Sequence, residues 1–185
     1  MTTLITQNSL LLNKLLEFYN KDGNMEKILP IINGESLVSL RLIDWFATNY
    51  SKKNYTVYPL KMKNGDSKRF KVYIDYKLKL KAYSKKRFDP FCRWDRITIP
   101  YKNDTYIQTT IGQLNFFRWA LENKILDYID QNLNKINNDM NNRNSTAKNR
   151  KVNSTTKTRK KREELSISAS KSIKKEQVEI IVDFK

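Results

Sequence analysis

Few of the side chains that perform most enzymatic chemistry occur in this sequence. It has no histidine among 185 residues, which removes serine–histidine and cysteine–histidine nucleophile pairs, the usual zinc sites and imidazole acid/base catalysis together. The single cysteine, Cys92, excludes an intramolecular disulfide and a cysteine-based zinc cluster. Arg93 stands beside it, but there is no histidine to act as its base, so a catalytic role is not expected. Asp44, Asp75, Asp89, Asp95 and Asp104 qualify as Mg²⁺ ligands by type only, since their spacing matches no nuclease motif. The four glycines, at 23, 34, 65 and 112, are too scattered to form a phosphate-cradling loop. No metal, cofactor or reaction is expected, and the chain is read as non-enzymatic.

The chemistry that is abundant is cationic. Lysine and arginine number 36 against 19 aspartates and glutamates, a formal net charge of +17. Residues 50–103 hold sixteen basic and four acidic residues, and the last 45 residues hold thirteen and five, whereas residues 1–49 and 104–140 are slightly acidic. The central block also carries eleven of the chain's 21 aromatic residues, as in KRFKVYIDYKLKLKAYSKKRFDPFCRWDR. Lysine and arginine neutralise phosphates and release counterions, and exposed rings stack on unpaired bases at roughly 1–3 kcal/mol each. This makes Lys68, Arg69, Lys71, Lys77, Lys79, Lys81, Lys85, Lys86 and Arg87 candidate phosphate contacts, although core packing is the commoner use of the rings among them. In FDPFCRWDR, Arg93 or Arg96 would fork onto a phosphate or base edge and Trp94 would stack. The competing reading pairs Asp89 and Asp95 with those arginines and closes the loop on itself.

These residues need a scaffold, and hydrophobic periodicity predicts an α+β fold in which helices flank a small antiparallel sheet of two hairpins. Asn8 or Ser9 would cap a leucine-rich helix ending near Gly23. A short helix from Met25 to Ile32 would contain Pro30. A second substantial helix, Ser36 to Tyr50, would place Leu37, Leu40, Ile43 and Ala47 on one face. Tyr55–Met62 and Arg69–Ile74 flank Asn64-Gly65, the dipeptide best suited to a tight hairpin turn, with Pro59 marking an edge or a bulge. Tyr76–Tyr83 fits strand or helix and is read as helix. Arg96–Pro100 and Tyr106–Thr109 form the second hairpin. Thr110-Ile111-Gly112-Gln113 matches a capping box opening a helix to about residue 131.

The folded domain is therefore expected over residues 1–131. Residues 132–175 form a disordered basic linker, because Asn132–Ser172 lacks aromatic residues and the apolar area needed to offset ordering. Its cluster, Lys148, Arg150, Lys151, Lys157, Arg159, Lys160, Lys161 and Arg162, suits a flexible phosphate-binding arm or a nuclear-import signal. In the terminal segment 176–185, Val178, Ile180, Ile181 and Val182 read as a strand that would dock on a protein partner's sheet edge or return to its own. No stretch approaches the roughly 20 apolar residues of a membrane span, no secretory signal is read at the start, and free cysteine suits a reducing intracellular compartment.

Three strings, SLRLIDWFATNYSKKN (39–54), LKAYSKKRFDPFCRWDRI (80–97) and TTIGQLNFFRWALENKILDYI (109–129), resemble a family of small uncharacterised proteins of large nucleocytoplasmic DNA viruses. The resemblance covers about the middle 90 residues and leaves the basic tail outside it. It implies a setting, the nucleus or viral factory of an infected cell or the packaged particle, and supplies no catalytic residues. The expected function is binding of DNA or RNA; the alternative is a structural or adaptor protein that meets an acidic protein partner.

Overall fold

A computed structural model describes residues 6–61, 65–92, 95–101, 105–152 and 174–177. The elements run α1 (Gln7–Tyr19), α2 (Asn24–Asn33), α3 (Leu40–Trp45), a π-helical turn (Phe46–Tyr50), α4 (Ser51–Lys53), β1 (Val57–Lys61), β2 (Ser67–Lys71), α5 (Val72–Phe88), β3 (Ile97–Pro100), β4 (Thr105–Thr109), α6 (Ile111–Glu122), α7 (Ile125–Gln131), α8 (Leu133–Val152) and β5 (Lys174–Gln177). The fold is α+β, with two small antiparallel sheets, β1-β2 and β3-β4-β5.

Helix α6 is the axis of the core. Thr110 caps it as the capping box predicts, its hydroxyl accepting the Gln113 N–H at 3.2 Å. Ile111 through Phe117, Trp119 and Ala120 are all buried, so the helix has no solvent face over most of its length and the other elements must surround it. On one side the Tyr19 hydroxyl of α1 donates to the Leu114 carbonyl at 2.6 Å. On another, Tyr76 and Phe88 of α5 meet Phe116 and Trp119 at ring separations of 5.7–6.3 Å. Such tilted and edge-on pairs add about 0.5–1.5 kcal/mol each beyond the area they bury.

Both hairpins form where alternation and turn residues predict them. The registers Val57↔Lys71 to Lys61↔Ser67 and Ile97↔Thr109 to Pro100↔Tyr106 place Pro59 in a two-stranded ribbon, where both strands are edges. The first register leaves five residues, 62–66, between the strands, so Gly65 at φ 88° serves a longer connection and not a two-residue turn. Helix α2 carries Pro30 internally and is bounded by left-handed Gly23 and Gly34.

Several boundaries differ from expectation. The cap of α1 is Thr6, which accepts the Ser9 N–H, in place of Asn8 or Ser9. Helix α3 starts after Ser39, whose hydroxyl accepts the Leu42 N–H, and this strands Leu37 outside it at 84% exposed. The second strand stops at Lys71, and Val72–Ile74 begin α5, because Val72 and Tyr76 one turn apart bury together against α6. The helix expected to reach residue 131 breaks at Asn123-Lys124, where Lys124 is left-handed at φ 56° and the chain restarts as α7.

The largest correction lies beyond residue 131. Instead of a linker starting at 132, α8 runs from Leu133 to Val152, and Ile136 and Met140 are buried. Its polar composition conceals this attachment, which a few apolar positions and one ionic knot provide. Asp139 accepts hydrogen bonds from Trp45 Nε1 at 3.2 Å and Lys53 Nζ at 3.0 Å, and Arg143 lies 5.7 Å from the Trp45 ring centre. Burial alone would raise the Asp139 pKa, but these donors hold it below the ordinary carboxylate value. At the other end, β5 pairs antiparallel with β4 from Thr105↔Gln177 to Gln108↔Lys174, so these residues return to the chain's own sheet. Ile136→Ala is therefore expected to lower unfolding stability by about 3 kcal/mol in urea titration. A loss within about 0.5 kcal/mol, the usual range of a surface substitution, would place α8 outside the core.

Candidate nucleic-acid interface

Helix α5 carries six of the eleven basic residues singled out in the central block, and the way it is anchored decides where they point. Val72, Tyr76 and Phe88 are its buried residues. Lys77 and Lys81 are exposed and Lys79 is half-buried. The helix is interrupted at Ser84, which stands at φ 64°, ψ 166°, a conformation that costs a non-glycine residue on the order of 1–3 kcal/mol. This break turns the chain so that Phe88 enters the core while Lys85 and Lys86 remain exposed. The last turn is then held by α6 and α1: Asn115 Nδ2 of α6 donates to the Arg87 carbonyl at 2.8 Å, and Arg87 Nε donates to Asn8 Oδ1 of α1 at 2.7 Å.

Strand β2 runs directly into α5 and extends the basic run. Its alternation splits the three predicted contacts: Arg69 and Lys71 lie opposite Pro59 and Val57 on the outer face of the ribbon, whereas Lys68 lies opposite Leu60 on the inner face beside Phe70. Lys68 is thus separated from the surface that Arg69 and Lys71 share. Arg96 belongs to the second hairpin and donates to Gln108 Oε1 at 2.9 Å. Arg93, Trp94, Lys157, Arg159, Lys160, Lys161, Arg162, Val178, Ile180, Ile181 and Val182 lie outside the described residues. Lys148, Arg150 and Lys151 fall on the last turns of α8.

The aromatic residues of the central block turn mainly inward. Phe70, Tyr76 and Phe88 are buried, and Tyr50, Tyr58, Tyr83, Phe91 and Tyr101 are packed against the core. Tyr55 stands apart, 85% exposed at φ 45° in the corner before β1. The Thr56 carbonyl accepts the Val72 N–H at 3.3 Å, which fixes this corner beside the junction of β2 and α5. Lys52 Nζ lies 5.7 Å from the Tyr73 ring centre nearby. Nothing in the alternating pattern that begins at Tyr55 distinguished it from an ordinary strand residue; the only local signal was the preceding Lys-Lys-Asn.

The carboxylates are dispersed. Asp75 accepts Trp119 Nε1 at 2.6 Å, Asp89 caps its own turn by accepting the Phe91 N–H at 2.9 Å, and Asp95 is exposed. Asp104 lies outside the described residues. Asp44, at the entrance to the π-helical turn, is half-buried, and desolvation, followed by the charge of Asp89, pushes its carboxyl up to about 7. Among the described residues no three acidic or cysteine side chains gather as a metal site. Nor is any helix there long and apolar enough to cross a membrane.

The buried α6, the two hairpins and the lysine-rich α5 occupy the middle of the chain, and a family model matches from residue 3 to 184. The chain belongs to DUF7197, a family of unknown function. The match includes the basic tail, which the resemblance in the middle of the sequence had left out. A relative, the uncharacterized protein L507 of Acanthamoeba polyphaga mimivirus, is 45% identical over 150 residues, covering 78% of this chain. The resemblance to an uncharacterised family of large DNA viruses is thus borne out at the level of the family. The chain spans 58% of that relative's length. No solved structure matches.

Asp44 gives this DUF7197 chain a pH signature. A carboxyl with an ordinary value of 3.8 that titrates near 7 when folded favours the protonated folded state. Its contribution is complete below 3.8, is lost as pH rises towards 7, and stays lost above. Each tenfold change in proton affinity is worth about 1.36 kcal/mol, and an amide forfeits part of that gain, so Asp44→Asn is expected to raise stability at pH 8 by about 2 kcal/mol. It should change little at pH 3.5, so melting curves at the two values check the sign; an equal effect at both would refute it.

Proposed function

We propose that this chain is a non-enzymatic nucleic-acid-binding protein whose outer β1-β2 face and α5 contact phosphates. The observation that carries this reading is that Lys71, Lys77, Lys81 and Lys85 are exposed and make no ion pair with any described residue. A solvated lysine face on an ordinary domain normally alternates with acidic partners at helical spacing. Here Tyr55 adds an open ring at the edge of the same surface, suited to stacking on an unpaired base. The tail cluster Lys148–Arg162 adds a second basic segment, as a binding arm or an import signal. Working places consistent with this reading are the nucleus or viral factory of an infected cell and the packaged particle.

A second reading, an adaptor that binds an acidic protein, is favoured by Ile74 and Leu78. They lie one turn apart on α5 between these lysines, 52% and 61% exposed, and nucleic-acid backbones give apolar side chains no partner. Charge reversal of Lys71, Lys77 and Lys81 separates the two. In the nucleic-acid reading these variants bind single-stranded DNA more weakly, and the slope of log affinity against log salt falls by about 2, at about 0.7 per lost contact. Melting temperature should stay the same because the sites are exposed. Unchanged affinity and slope would overturn the assignment to this face. Loss of binding in Ile74→Ser/Leu78→Ser with the salt slope intact would favour the adaptor.

A further inference from the structure

Helix α5 carries a second apolar row that the core does not use. Val72 and Tyr76 are buried, and Leu80 and Tyr83 pack against the core on the same side. Ile74 and Leu78 stand two residues before and after Tyr76, a spacing that sends them to the other side of a helix, and they are 52% and 61% exposed. Ala82, exposed four residues beyond Leu78, continues the row as far as the break at Ser84. Apolar side chains at i, i+4 and i+8 form a ridge of the kind that packs between the side chains of a second helix. Their exposure shows that no described element of this chain covers them.

The charges beside the ridge decide what can cover it. Lys77 follows Ile74 by three residues and Lys81 follows Leu78 by three, so each apolar side chain has a lysine as its neighbour on the helix surface. Both lysines are exposed and make no ion pair with any described residue. The acidic residue of α5, Asp75, is half-buried and accepts Trp119 Nε1 at 2.6 Å, so it offers the ridge no compensating charge. A second copy of this chain laid along the same row would bring Lys77 and Lys81 against like charges. A bilayer surface needs a broad apolar face, and a row one side chain wide gives it little to bury. An amphipathic helix with its own apolar row and a flank of Asp or Glu meets both requirements. The rows interlock, and the carboxylates reach Lys77 and Lys81, whose stems cover the edge of the contact.

We propose that the outer row of α5, Ile74, Leu78 and Ala82, docks an acidic amphipathic helix of a partner protein, with Lys77 and Lys81 pairing with its carboxylates. This specifies the partner of the adaptor reading above and rests on that reading. In the nucleic-acid reading the same two lysines contact phosphates, so partner helix and strand would exclude each other on α5.

Anisotropy of two labelled peptides of about 18 residues, long enough for a helix to form alone, tests the docking on the full chain. One carries leucines at helical spacing with glutamates beside them, and the other has the same composition scrambled, so that its charge is unchanged. The amphipathic peptide should bind about tenfold more tightly than the scrambled one, the order expected from burying the exposed parts of two aliphatic side chains. Ile74→Ser/Leu78→Ser should abolish that difference, and Lys77→Glu/Lys81→Glu should weaken both peptides. Melting temperature should stay the same in both variants because all four sites are exposed. Equal binding of the two peptides would overturn the helix partner and leave an acidic protein recognised by charge alone. Binding of neither would overturn the adaptor reading as well. Retention on phosphatidylserine vesicles that Ile74→Ser/Leu78→Ser abolishes, with no preference between the peptides, would overturn the docking and assign the row to a lipid surface. A single-stranded oligodeoxynucleotide should displace the amphipathic peptide; one that binds without displacing it would overturn the shared use of Lys77 and Lys81 and move phosphate contact off this part of α5.

Discussion

The close approach of α6 to the end of α5 is the constraint on which the rest of the molecule depends. At Gly112 an added Cβ would stand 3.0 Å from the Asp89 carbonyl oxygen and 3.1 Å from that of Lys86, so only glycine permits this contact without displacing backbone. Because the contact is that close, Phe88 and Phe116 meet in the centre and Asn115 can reach the Arg87 carbonyl. Other polar groups carried into the interior by α6 are likewise matched: Gln113 accepts from Thr109, and Trp119 donates to Asp75. A buried helix with unmatched groups would lose about 1–3 kcal/mol for each. The chain thus obtains a core from one enclosed helix, and the elements around it need bury only a stripe.

That division of labour explains where the charge sits. Helix α5 buries Val72, Tyr76 and Phe88 and packs Leu80 and Tyr83 against the core, so its other positions are free to carry lysine. The break at Ser84 has the same origin. A continuous helix could not both bury Phe88 beneath Gly112 and keep Lys85 and Lys86 in solvent, and the positive φ resolves the conflict locally.

The elements that could be read from sequence were those whose signal is local. The Thr110 cap, the two alternating hairpins and the short Pro30 helix each depend on a few neighbouring residues, and each formed. What could not be read depended on distant partners. Val72–Ile74 have strand propensity, yet they are helical because Tyr76 must face Trp119. The stretch after Asn132 is compositionally poor, yet α8 holds through Ile136, Met140 and the Asp139 contacts with Trp45 and Lys53. For the candidate interface, charge counting found the lysines but could not tell Lys68 from Arg69, which a one-residue step sends to opposite faces. Nor could it find Tyr55, whose exposure follows from a left-handed turn.

Lys77 and Lys81 of α5, without an ion pair among the described residues, are a cost in the free protein. Lys77 and Lys81 stand at i, i+4, a like-charge spacing that opposes helix formation by about 0.2–0.5 kcal/mol. Neither has an acidic partner among the described residues, and Ser84 adds its own strain at the C-terminal end. The fold tolerates these terms because α5 is clamped by its aromatic contacts to α6 and not by its own helical propensity. In the proposed function, a surface under such tension would bind a polyanion with a gain beyond the direct contacts, since neutralising the lysines also removes their mutual repulsion. Acidic residues interspersed on α5 would relax the helix without any ligand. An element clamped at its core and left repulsive at its surface is therefore better suited to receiving an external negative charge than to solubility alone.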